Sequence, residues 1–124
     1  MKKLLLLLLL SFLSTQSLAK VGDVYYCVMK NYSSMSNRGI EIYDINNFKF
    51  KREKEKLIFD DRFIPISDKE IPITFSGEGT DFLFMAQSSN SGRFESVVYS
   101  NGKFHYSLTS SNAVFSVVAE CDVF

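Results

Sequence analysis

The sequence predicts an all-β fold, a single small antiparallel β-barrel or sandwich of about seven to nine strands with one disulfide. Three observations carry this reading. Apolar and polar residues alternate with period two along most of the chain beyond its first nineteen residues. Asn101-Gly102 separates two such runs, and Asn-Gly is the strongest short hairpin signal because a type I′ turn needs positive φ at both central positions. The chain's 2 cysteines, Cys27 and Cys121, sit near the two ends of the alternating region.

Residues 1–19 differ in kind from the rest. Lys2-Lys3 form a positive start, Leu4 to Leu10 with Phe12 and Leu13 an apolar stretch, and Ser17-Leu18-Ala19 a small-x-small cleavage site. This is the pattern of a secretory signal peptide, which leaves 20–124 as a single exported β domain. The apolar stretch is too short for the roughly 30 Å hydrocarbon core of a bilayer, so no stable membrane insertion is expected once the leader is cleaved. Two of the 14 basic residues lie in the leader, which leaves 12 against 14 acidic residues, a net charge of −2. That balance argues against nucleic acid as a partner.

Cys27 and Cys121 read as one structural disulfide, since paired cysteines suit an oxidising compartment. A reactive or metal-binding pair would need C-x-x-C spacing or neighbouring histidines, and the chain has 1 His. Bridging implies that the first and last strands are neighbours, with Cα atoms within roughly 7 Å.

Asp23 to Lys30 is the first strand, with Tyr25, Cys27 and Met29 on one face and Val24, Tyr26 and Val28 on the other. Because both faces are apolar, a central or wrapped position is expected. Asn31 to Gly39 reads as a polar loop, and Ile40 to Ile45 as a strand that turns at Asn46-Asn47. Phe48 to Lys51 and Leu57 to Asp60 alternate cleanly about Lys54-Glu55. Centring the turn there sets Phe50 opposite Phe59, and Lys49 opposite Asp60 as a charge pair. The run Arg52 to Lys56 also favours helix, but it carries no apolar stripe, so the hairpin reading is preferred. The local charge of this hairpin, +3 from Lys49 to Lys56, reads as a solvated tip that protects an exposed edge.

Pro65 and Pro72 place Arg62 to Phe75 in edge strands or strand starts, where Ile71, Ile73 and Phe75 add apolar surface to cover one mouth of a sheet. Phe63, Ile64 and Ile66 supply apolar cover for one mouth of the sheet. Gly77 to Thr80 is a turn. Asp81 to Gln87 is the most continuously apolar run and is expected to be buried on both faces. Ser88 to Gly92 reads as a flexible polar loop. In the last third, the Asn101-Gly102 turn sets Tyr99 opposite Phe104, Val97 opposite Tyr106 and Glu95 opposite Leu108. A four-residue loop, Ser110 to Ala113, then sets Leu108, Tyr106 and Phe104 opposite Phe115, Val117 and Ala119.

Catalytic chemistry has few candidates. His105 falls on the face opposite Tyr106, without a nucleophile elbow in the sequence to partner it. Asp60 and Asp61 are adjacent and point to opposite faces of a strand, while Glu78 and Asp81 flank a glycine turn. A small hydrolase would need a pocket where His105, Asp60 and Glu95 converge. The 12 Phe and 6 Tyr read mainly as core, with no Trp among them.

The succession Tyr25-Tyr26-Cys27, Gln87, Ser91-Gly92-Arg93-Phe94 and Glu120-Cys121 resembles the layout of periplasmic inhibitors of c-type lysozymes. The resemblance implies a small exported β-barrel with paired terminal cysteines and a Ser-Gly-x-Tyr-like loop that enters the lysozyme active site. Ser91 would be the inserting serine, with Arg93 beside it. The chain departs from that layout where Phe94 replaces the tyrosine, and Gly102-Lys103 does not reproduce the second, lysine-bearing motif.

These readings lead to a non-catalytic, periplasmic or secreted binding or envelope-interaction module, with no cofactor and no metal. Its partner is expected to be a protein or an envelope component. The contact candidates are the segments Asn31–Gly39 and Ser88–Arg93, with Ser91, Gly92 and Arg93 at the centre of the second. Lysozyme inhibition and a small hydrolase are the alternatives.

Overall fold

In the computed structural model, which describes residues 22–63, 69–77 and 83–123, the backbone forms nine antiparallel strands and no helix among those residues. The strands are β1 (Val24–Ser36), β2 (Gly39–Ile42), β3 (Asn47–Arg52), β4 (Lys56–Phe59), β5 (Glu70–Ser76), β6 (Phe84–Asn90), β7 (Arg93–Ser100), β8 (Lys103–Thr109) and β9 (Ala113–Val123). Strands β3 to β9 pair in sequence, β9 returns to β1, and β1 pairs with β3. Eight strands therefore close a barrel, and β2 is an additional strand on the far half of β1. The leader, residues 1–19, and the readings at Ile64 to Ile66, Glu78, Asp81 and Phe82 lie outside the described residues.

Closure runs through the chain ends, as the cysteines implied. β1 pairs with β9 from Tyr25 opposite Val123 to Ser36 opposite Ala113. Cys27 faces Cys121 in that register and is bonded to it, with Cα atoms 4.0 Å apart. A disulfide of this kind belongs to an oxidising, non-cytoplasmic environment. No helix of the described residues is long and apolar enough to cross a membrane.

The hairpin registers read from the sequence hold. Tyr99 faces Phe104, Tyr106 faces Val117, and Phe50 faces Phe59. Asn101 and Gly102 take φ 47 and 82, the two left-handed positions that a type I′ turn requires. Lys49 and Asp60 are adjacent, but the contact is not a charge pair of side chains. The Lys49 N–H donates to Asp60 Oδ1, and the Asp60 N–H to the Lys49 carbonyl.

Several expectations are corrected, two of them by bulges. Asn31 to Ser36 is strand, not loop. The pairing of β1 with β9 shifts between Met29 and Asn31, so the inward set changes from Tyr25, Cys27 and Met29 to Tyr32 and Ser34. One extra residue inverts the pleat, and the inward residues beyond it are polar, which hid the strand in the sequence. A second shift between Ile73 and Phe75 turns Phe75 out to solvent, away from Ile71. β2 ends at Ile42, short of Ile45. Phe84 and Ala86 are buried, but Met85 and Gln87 are half-exposed, so the described part of 81–87 is buried on one face only. Ser88 to Asn90 belong to β6, which leaves a two-residue turn at Ser91-Gly92.

Pro72 sits inside a strand paired on both sides. The Ile73 N–H points to the Glu55 carbonyl in the direction of β4. By alternation, the side of Pro72 that lacks a donor faces β6, where pairing begins only at Ile73.

The interior is filled by rings. Tyr25 stacks on Phe50 and Phe84 on Tyr99, with centroids 4.6 and 4.7 Å apart. Phe63, just past β4, inserts among Phe48, Phe59, Phe104 and Tyr106 and plugs the barrel from one end. Offset and edge-on pairs of this sort add about 0.5–1.5 kcal/mol each beyond their burial.

Candidate functional site

Strand direction sorts the turns into two groups. Lys54-Glu55 and Asn101-Gly102 lie at one end of the barrel, while Asn37-Arg38, Ser91-Gly92 and Ser110–Asn112 lie at the other. The second end carries the candidate site. There β1, β9, β2 and the Ser110–Asn112 loop enclose an open groove of about 660 Å³, lined by Ser34, Ser36, Asn37, Arg38, Glu41, Tyr43, Ser111, Asn112, Ala113 and Phe115.

The β1 bulge builds this groove. By inverting the pleat, it points Tyr32 and Ser34 to the same side as Glu41 of β2 and Phe115 of β9. Tyr43 follows β2 and is tied down by its N–H to the Tyr32 carbonyl at 2.8 Å. Its ring lies 4.6 Å from Tyr32 and 6.1 Å from Phe115, nearly parallel to the latter. The Tyr43 hydroxyl donates to Glu41 Oε2 at 3.0 Å and lies 2.8 Å from Ser34 Oγ. Since that phenolic proton goes to the carboxylate, Ser34 is the donor to Tyr43. Burial, and then the neighbouring Tyr43, raise the Tyr32 pKa above its ordinary value.

The rim is held as firmly as the floor. Ser110 Oγ accepts the N–H groups of Asn112 and Ala113, and Ser36 Oγ accepts that of Arg38. The groove therefore offers two aromatic faces in a fixed polar frame, with one cation, Arg38, and one carboxylate, Glu41. That composition suits a ligand with apolar patches and many hydroxyl or amide groups.

A second groove, of about 850 Å³, lies on the barrel wall outside the disulfide, between Tyr26, Val28 and Lys49 on one side and Asp60, Asp61 and Arg62 on the other. Lys69 forms an ion pair with Asp61 there. No group of three or more metal-ligating side chains occurs among the described residues.

The residues singled out from the sequence separate into distinct places. Ser91, Gly92 and Arg93 are exposed at the tip of the β6–β7 hairpin, at the same end as the groove. Ser91 Oγ donates to Asn90 Oδ1. His105, Asp60 and Glu95 do not converge. His105 is exposed on the outer face opposite Val98 and Val118, Glu95 is 5% exposed on the inner face, and Asp60 is in the wall groove. Sequence reasoning missed Ser34, Glu41, Tyr43 and Phe115 as a group, because it took 31–39 for a loop. The signal available was the turn Asn37-Arg38-Gly39 between two strand-compatible runs.

No protein-family model, no curated protein and no solved structure matches this chain.

Proposed function

We propose that this is a non-catalytic binding module of the periplasm or the secreted fraction, and that it holds a saccharide-bearing envelope component in the Tyr43–Phe115 groove. The observation that supports this reading is the pairing of two half-buried aromatic rings, Tyr43 and Phe115, with a hydroxyl and amide rim at the edge of the ring-packed core. Sugars present an apolar C–H face and a ring of hydroxyls, which such a surface matches. The near-neutral groove and the negative net charge of the exported domain give no attraction for nucleic acid.

Co-sedimentation with purified cell-wall sacculi tests it. The wild-type protein should pellet, and Tyr43→Ala and Asn112→Ala should each reduce the bound fraction severalfold. Wild-type protein that stays in the supernatant at all concentrations would remove the saccharide reading.

A second reading, inhibition of a c-type lysozyme, draws support from the exposure of Ser91 and Arg93 at the tip of a stiff hairpin. Such a tip can enter a cleft, and the acidic catalytic residues of lysozymes suit a guanidinium.

A further inference from the structure

We infer that the open edge of β2 pairs with β2 of a second copy of this chain, and that the pairing seals an exposed apolar row. Among the described residues, β2 hydrogen-bonds to β1 alone. The Tyr43 N–H bonds to the Tyr32 carbonyl, so by alternation Gly39 and Glu41 turn their backbone groups toward β1, while Ile40 and Ile42 turn theirs outward. Two donors and two acceptors thus have no strand beside them among the described residues, on a strand with no proline and no lysine to blunt it.

The side chains point to the same occupant. Val114, Met35 and Ile40 are consecutive cross-strand neighbours on the outer face, with Ile42 beside them. Met35 is 60% exposed, Ile40 68% and Ile42 79%. An antiparallel edge is complementary to itself, so a second copy can pair with the outward backbone groups of Ile40 and cover the apolar row. Pairing about Ile40 sets the two Ile40 residues face to face and Gly39 against Glu41, which keeps the carboxylates apart. The row then continues across the two-fold axis without a break. A single edge pair falls below the ~1,200 Å² of a standard interface, so the dimer is expected to be weak. The inference does not depend on what the groove binds.

Sedimentation velocity on the oxidised exported protein, from low to high micromolar concentration, should show a concentration-dependent dimer. Ile42→Lys should raise the dissociation constant on the order of tenfold or more. Ile40→Pro should do the same with an unchanged thermal midpoint, because the N–H it removes makes no bond to β1. A monomer throughout the range overturns the inference. So does a dimer unaffected by both substitutions, or flotation of the monomer with phosphatidylglycerol vesicles that Ile42→Lys abolishes, which would assign the row to a lipid surface.

Discussion

Tyr106 donates its hydroxyl to Glu95 Oε1 at 3.1 Å on the inner face of the barrel, one strand across and two residues along. Burial first, and then the charge of Glu95, push the Tyr106 pKa well above the ordinary tyrosine value. Tyr25 offers a contrast within the same core. Its hydroxyl is buried beside the Arg52 guanidinium, and among the described residues it makes no hydrogen bond of good geometry. Tyr106→Phe should therefore cost about 1.5–3 kcal/mol, because it strips a charged acceptor of its donor. Tyr25→Phe should be neutral or stabilise by up to about 1 kcal/mol, because it removes an unsatisfied group at constant ring packing. Urea unfolding of the two variants decides the matter, and equal losses would contradict the assignment.

Alkaline pH should unfold the protein earlier than its disulfide and core suggest. Burial raises the pKa of Tyr25 to about 12 and also raises those of Tyr32, Tyr99 and Tyr106. For a tyrosine raised in the folded state, the unfolded chain ionises first, near pH 10, while the folded chain keeps its proton. The stabilisation is thus fully present below about pH 10 and is lost as pH rises through the folded values. Urea midpoints between pH 7 and 12 should stay level to about pH 10 and then fall, with Tyr106→Phe showing a shallower decline.

The Cys27–Cys121 bond closes a segment of 94 residues and sits on the seam where β1 meets β9. In the chain-entropy model a loop of that length is worth about 4–5 kcal/mol. The oxidised protein should show no thiol reactive to Ellman's reagent. Reduction should lower the unfolding free energy by that order, and an unchanged urea midpoint after complete reduction would count against the seam as a point of stability.

The legible parts of this fold were those where periodicity and turn chemistry agree. Asn101-Gly102 fixed the register of β7 and β8, and that register carried Phe104, Tyr106 and Val117 to one face. The cysteines gave the closure without any pattern at all. Part of what the sequence hid lay beyond bulges, where one inserted residue exchanges the inward and outward positions. Tyr32 and Ser34 sit inside by virtue of the shift near Lys30, and Phe75 outside by virtue of the shift near Thr74. A bulge leaves no mark in composition, so the groove that depends on the first one was not readable either.

Ser91 occupies the first left-handed position of its turn, at φ 49, followed by Gly92 at φ 78. The turn at Asn101-Gly102 has the same geometry and uses asparagine there, a residue that tolerates positive φ far better than serine. A turn selected for stability alone would favour Asn at 91, so Ser91 carries a small conformational cost at this tip. Ser91→Asn should stabilise the protein by about 0.5 kcal/mol through the relief of this strain. Under the inhibitor reading it should also weaken inhibition of a c-type lysozyme, and Arg93→Ala should cost about 2 kcal/mol of binding, as loss of a central arginine does. The two effects have opposite signs, so a turbidity assay of cell-wall lysis beside a thermal melt separates them. Full lysis in the presence of micromolar wild-type protein would end the inhibitor reading, and Ser91 would then be left as a residue that the turn accepts at a small cost.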